Sequence, residues 1–117
     1  MGLFQTLNRH RMTTLAAVAA GSLAMTGAAL AQDSHHYTVA LANMSYGQPP
    51  SNLKVGDTIT WVNNDTVPHT VTARDHSFDL RMNPGQSVRQ TLTRAGNIPF
   101  FCIYHAEMRG VLNVAAN

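Results

Sequence analysis

A single cysteine, Cys102, occurs in the 117 residues, which excludes a disulfide within the chain. Charge is sparse as well: 12% of the residues are Asp, Glu, Lys or Arg, and no block of one sign occurs. No basic field is left to hold nucleic acid or an anionic membrane surface, so neither is expected as a partner. Beyond residue 32 the apolar periodicity of a helix is nearly absent, and so is any internal repeat. The length allows one domain and no more.

The first stretch has its own composition. Met1 to Met12 carries Arg9, His10 and Arg11 and no acidic side chain, and Leu15 to Leu30 is an uncharged, alanine-rich run ending in Ala29-Leu30-Ala31. A basic start, an apolar run and a small-x-small end read as a secretory signal peptide, residues 1–31, cleaved after Ala31. The alternative is a membrane anchor, but Gly21, Ser22, Thr26 and Gly27 interrupt a run already short for a span of roughly 20 strongly apolar residues. Arg9 and Arg11 are not adjacent, which argues against a twin-arginine signal. Cleavage would remove both arginines and none of the 6 acidic residues, so Lys plus Arg falls from 8 to match them and the net charge of +2 disappears. The expectation is an exported, periplasmic domain over 32–117, near neutral and without an anchor. In an oxidising compartment a lone thiol invites cross-linking unless it has a task, so Cys102 is the first residue to explain.

After the leader the chain reads as short strands and turns. Tyr37–Leu41 alternates apolar and polar, and Thr58–Val62 is rich in β-branched residues. His69–Ala73, a fragment over Phe78–Leu80, Ser87–Thr93, Ile98–Cys102 and Gly110–Val114 complete the set. Met44–Leu53 reads as a loop because of Gly47, Pro49 and Pro50. Lys54–Asp57, Asn83-Pro84-Gly85 and Ala95-Gly96-Asn97 read as turns. Six or seven short strands at this spacing predict an all-β Greek-key sandwich, in which an early loop meets a late one at the same end.

Chemistry concentrates in Cys102-Ile103-Tyr104-His105-Ala106-Glu107-Met108. A thiolate, an imidazole and a thioether recur at three-residue intervals after a strand, so one loop can fold them round one point. Singly, such residues have plainer readings: Cys102 as a small buried hydrophobe, His69 as a surface or capped histidine, Met108 as core filler. Together they form a soft donor set, and a trigonal His2Cys site with a weak axial Met is the blue-copper arrangement. The second imidazole must come from elsewhere, and His69, opening a strand after Pro68, is the best candidate. Zinc is the competing metal. Methionine is not among its usual ligands, and no carboxylate is paired with an open position.

At these residues the sequence resembles the cupredoxin family and, within it, the amicyanin-like members. The resemblance rests on Ile59-Thr60-Trp61-Val62-Asn63, on Val67-Pro68-His69, and on Phe101 to Gly110 with two residues between His105 and Met108. It implies one type-1 copper held by His69, Cys102, His105 and Met108. His69 would be the buried ligand, His105 the solvent-edge ligand through which electrons pass, and Met108 the weak axial one. It also implies a monomeric electron carrier, not an enzyme. Redox donor and acceptor proteins would dock round His105 on Ile103, Tyr104, Ala106 and Pro68. Thr70 stands where the family usually has an asparagine tying the two ligand loops together, and the loop lacks the prolines common there. A periplasmic copper carrier or buffer is the alternative function, for which His76, Met82, Met44 and the His35-His36 pair would be spare donors. A copper oxidase would need further copper centres and several His-x-His pairs, which this sequence lacks.

Overall fold

The computed structural model describes residues 33–117; the proposed leader over 1–31 and its cleavage after Ala31 lie outside them. Burial follows the alternation read from the sequence. Strand β4 (Thr58–Asn63) runs half-buried, buried, half-buried along its length, so Ile59, Trp61 and Asn63 share the inner face. It pairs in parallel with β1 (His36–Ala42) and antiparallel with β7 (Ser87–Thr91). With β2 (Ser45–Tyr46) beyond β1, these make a four-stranded sheet in the order β2-β1-β4-β7. The facing sheet has the order β3-β9-β8-β5-β6, from β3 (Leu53–Lys54), β9 (Arg109–Ala115), β8 (Gly96–Phe101), β5 (His69–Ala73) and β6 (Asp79–Met82). The all-β sandwich is thus present.

The boundaries differ from expectation at several strand ends, β3 (Leu53–Lys54) and β6 (Asp79–Met82) among them, and two of the differences have a plain local cause. The stretch Met44–Leu53 is not one loop: Ala42 pairs with Ser45, and Leu41 with Tyr46, across a two-residue turn. Such a hairpin needs φ above zero at both central residues, which is why Asn-Gly is its usual signature. Here Asn43 (φ 54°) and Met44 (φ 60°) take those positions, and a methionine hides the turn. Secondly, Gly96 and Asn97 belong to β8, because they pair with Val114 and Asn113 of β9. Among the described residues the count reaches nine strands because β2 and β3, of two residues each, add to the longer ones.

Three aromatic rings join the sheets. Trp61 of β4 meets Phe100 of β8 edge-on at 5.4 Å, and Tyr46 of β2 meets Phe100 at 4.8 Å. Trp61 and Phe100 are fully buried, and the indole N–H donates to Gln90 Oε1 at 2.9 Å. Gly110 lies against this cluster: a Cβ there would come within 2.5 Å of Phe100 Cζ. The ring cannot yield, since Tyr46 and Trp61 hold it on its other sides. Gly110→Ala is therefore expected to lower stability by about 1–3 kcal/mol, the range for an overpacked core. Thermal unfolding of the metal-free variant reads it, and an unchanged midpoint would contradict the packing.

Candidate metal centre

Antiparallel pairing of Thr72 with Phe101 and of Ala73 with Phe100 sets the start of β5 beside the end of β8. His69 and Cys102 thereby meet at one end of the sandwich. The segment from Cys102 to Met108 closes on itself through the backbone. His105 N–H donates to Cys102 O at 3.3 Å, Met108 N–H to His105 O at 2.8 Å, and Cys102 N–H to Met108 O at 3.0 Å. Two successive turns therefore gather the three side chains, and β9 leaves directly after them.

The four candidates are unequally exposed. His69 and Cys102 are wholly buried and Met108 is 4% exposed, whereas His105 is only half-buried. His69 Nδ1 lies 3.8 Å from Cys102 Sγ. The His69 and His105 rings meet edge-on, with centroids 5.2 Å apart. Bonds of ~2.0 Å to nitrogen and ~2.3 Å to sulfur, as zinc shows, place two donors about 3.7 Å apart at a trigonal angle. The His69–Cys102 separation fits one shared first-row ion. Among the described residues no group of three or more His, Cys, Asp and Glu side chains is drawn together as a metal cage. This holds for His69, Cys102 and His105 as well: the donor pair drawn together is His69 and Cys102, with the half-buried His105 and the buried Met108 thioether on the same loop.

The orientation of His69 is fixed from outside. Its Nε2 lies 2.7 Å from Asp65 Oδ2. Asp65 also accepts the N–H groups of Asn43 (2.6 Å) and Met44 (2.9 Å), the two left-handed turn residues. The Met44 N–H first, and the His69 ring second, hold its carboxyl below the usual carboxylate range. An ionised Asp65 only accepts, so the single N–H of a neutral His69 ring sits on Nε2. The Nδ1 lone pair is then directed at Cys102 Sγ, as a metal ligand requires. Asn63 holds the same loop from below. Its amide donates to Val67 O at 2.9 Å and Met82 O at 3.2 Å, and its Oδ1 accepts Asp65 N–H at 2.9 Å.

Thr70 ties the two loops together in its own way. Its backbone N–H points to Cys102 Sγ at 3.4 Å, and its hydroxyl oxygen accepts Ile103 N–H at 2.9 Å. Tyr46 adds a third tie by donating its hydroxyl to Thr70 O. Burial, and then the charge of Cys102, push that phenol well above its ordinary range, so it stays a donor. Asp65, Tyr46 and the role of Met44 were not singled out from the sequence. The β1–β2 hairpin that carries two of them was concealed by the proline-rich stretch behind it.

The spare donors have other occupations. Met82 is a core residue paired with His69 across the sheet. His36 Nδ1 lies 2.6 Å from Thr58 Oγ1, and the exposed His35 ring has its Nδ1 3.8 Å from Asp57 Oδ1. His76 sits in a turn with φ 65°. Met44 alone reaches the site, sharing an open hollow with His105, Ala106 and Glu107.

A family model described as a Cupredoxin-like domain matches residues 14–114. The chain belongs to the cupredoxin-like family. This cupredoxin is 35% identical over 78 residues to amicyanin from Paracoccus denitrificans. That match covers 62% of this chain and 60% of the relative. The match to amicyanin from Paracoccus versutus spans 59% of that protein's length, so the matched stretch is under two thirds of either amicyanin. Chloroplastic plastocyanin from Hordeum vulgare is 28% identical over 126 residues, covering 95% of this chain and 79% of the relative. Among solved structures, amicyanin from Paracoccus versutus superposes with a TM-score of 0.57 at 29% identity, covering 70% of this chain and 81% of that one. A Cu(I) form of an amicyanin mutant at pH 4 gives 0.57 at 33% identity, with coverage of 70% and 82%. No described helix of this cupredoxin is long and apolar enough to cross a membrane.

Proposed function

We propose that this cupredoxin carries single electrons on one type-1 copper held by His69, Cys102, His105 and Met108. The observation that carries the reading is the graded burial of a soft donor set. Three candidates lie inside the sandwich, and the half-buried His105 reaches the surface. Bound copper would supply a one-electron Cu(II)/Cu(I) couple. The chain's own residues do the rest. Asp65 and Asn63 fix the His69 ring, the backbone turns fix the loop from Cys102 to Met108, and burial excludes water from three of the four donors. A site held this rigidly moves little between oxidation states, which is what fast electron exchange needs.

Docking fits the same end. Ile103 (43% exposed), Tyr104 (52%), Met44 (45%) and Val67 (37%) are the large apolar side chains left uncovered there. A donor and an acceptor redox protein would meet this patch in turn, close to His105. In this reading the protein is exported to the periplasm, loses residues 1–31, and works as a monomer and not as an enzyme. A copper carrier without redox turnover is the second reading, favoured only by the Met44 thioether beside His105. Electron self-exchange in the copper-loaded protein separates the two. Fast exchange supports the shuttle, whereas slow exchange with saturable Cu(I) transfer to a partner supports the carrier.

Metal binding should also register as stability. Binding to the native state alone adds about 4 kcal/mol at a thousandfold excess over the dissociation constant. The copper-loaded protein is therefore expected to melt well above the metal-free one. Coincident melting curves would count against a site preformed by the fold.

A further inference from the structure

A line of hydroxyl groups leads from the loop between Cys102 and Met108 to the opposite edge of the sheet. Ile103 N–H donates to Thr70 Oγ1 at 2.9 Å. Thr70 Oγ1 lies 2.8 Å from Thr72 Oγ1, and Thr72 Oγ1 donates to Asp79 Oδ1 at 2.7 Å. The other Asp79 oxygen is taken by Arg81, whose Nε and Nη2 approach Oδ2 at 3.1 and 3.0 Å. Thr70 is fully buried and Thr72 is 3% exposed, while half of the Asp79–Arg81 pair is in solvent. The line is short because Thr70 and Thr72 lie on one face of β5, and Asp79 of β6 pairs directly with Thr72.

Counting donors gives the line one direction. A hydroxyl has one hydrogen to give, and an ionised carboxylate has none. Thr72 gives its hydrogen to Asp79, so towards Thr70 it can only accept. Thr70 must then give its own hydrogen to Thr72, which leaves its oxygen open to Ile103 N–H. The reverse polarity fails at Asp79: a Thr72 that gave its hydrogen to Thr70 would face the ionised carboxylate, 2.7 Å away, with no hydrogen between the two oxygens. The Thr72 hydroxyl, with Arg81 behind it, keeps the Asp79 carboxyl below the usual carboxylate range, so the terminal acceptor stays charged.

We infer that Asp79, far from the metal end in sequence and partly in solvent, is a positioning residue for that loop, acting through Thr72 and Thr70 on the amide that follows Cys102. The feature is tied to threonine at position 70. A side-chain amide there could satisfy Ile103 N–H with its own carbonyl, and no outside acceptor would be needed. With a hydroxyl, the direction of the loop-facing lone pairs follows from where the Thr70 hydrogen is held, two residues away on Thr72 and one strand across at Asp79.

The inference rests on hydrogen bonds and not on the copper reading, and a test on the full chain without metal keeps the two apart. Amide hydrogen exchange, read residue by residue by NMR, compares Ile103 with the core amides of Val71 and Phe100. Asp79→Ala and Thr72→Val should each speed Ile103 exchange about tenfold relative to those core amides, the size of one hydrogen bond's net contribution. Combining them should add little to either alone, since both cut one line. Asp79→Asn, which keeps an accepting oxygen, should restore protection to within about twofold. Asp75→Ala, which breaks the separate Asp75–Arg94 pair, should leave Ile103 unchanged. Uniform acceleration of all three amides, additive effects of the two cuts, or an asparagine variant that behaves like alanine would each overturn the assignment.

Discussion

Replacing Cys102 with serine is expected to abolish the intense visible absorption of the Cu(II)-loaded protein and most of its affinity for the metal. The band expected of a type-1 site is charge transfer from thiolate to Cu(II), and a hydroxyl has no comparable electrons to give. Serine also fits the pocket badly in chemical terms. Cys102 is wholly buried, and its sulfur faces the Nδ1 lone pair of His69 and the N–H of Thr70. Serine's shorter bond to Cβ brings its oxygen no nearer His69 Nδ1 than the 3.8 Å of the sulfur, so the hydroxyl gains no hydrogen bond there and offers a hard donor in place of a soft one. Folding should suffer less than metal binding, because the exchange is small in volume and Thr70 N–H still faces the oxygen. Circular dichroism of the variant should match the parent while the visible band is gone. A Cys102→Ser protein that remains intensely coloured with Cu(II) would remove Cys102 from the ligand set.

Glycine at His105 is expected to leave a gap that added imidazole can enter, and glycine at His69 one that it cannot. His105 borders an open hollow with Met44, Ala106 and Glu107, so a small ligand reaches the vacated position from solvent. His69 has no exposed surface, and its ring is held at Nε2 by Asp65. Removing that ring deletes a fully buried side chain and leaves Asp65 without its partner, so His69→Gly should also be several kcal/mol less stable. Titrating imidazole into copper-loaded His105→Gly is expected to restore nearly all of the visible band, against almost none in His69→Gly. Recovery at His69 with none at His105 would invert the buried and exposed assignments.

These residues show how much the sequence disclosed. The span of β5 agrees with His69–Ala73 as read from its β-branched run, and Trp61 and Phe100 sit in the core as alternation required. The donor spacing from Cys102 to Met108 was legible because loop chemistry is local: three side chains within seven residues need no knowledge of the rest of the fold. What supports them was not legible, because it is not local. Asp65 reaches across to a turn 22 residues earlier, and its value lies in where β1 ends. Tyr46 was lost inside a proline-rich stretch, since two residues of strand leave no periodicity to detect. Met44 occupies a position where glycine would have announced the turn. Thr70 was conspicuous only as a departure from the family. That its hydroxyl accepts from the loop, and passes its own hydrogen to Thr72, follows from partners on β6 and β8.

The place of β9 bears on when such a site can exist. This strand follows the donor loop directly, yet it lies inside its sheet, with β8 on one flank and β3 in parallel on the other. Leu53 finds its partner only at Val114. Pairings over so great a sequence distance are slow to form, because closing the long loop between them costs entropy before any contact compensates. A chain emerging from its N-terminal side can build the β1–β4 pair early, but Met108, whose carbonyl accepts the Cys102 N–H, and β9 behind it come last. If the chain matures in an oxidising compartment, as proposed, the order in which copper and the last strand arrive bears on the fate of its one sulfur.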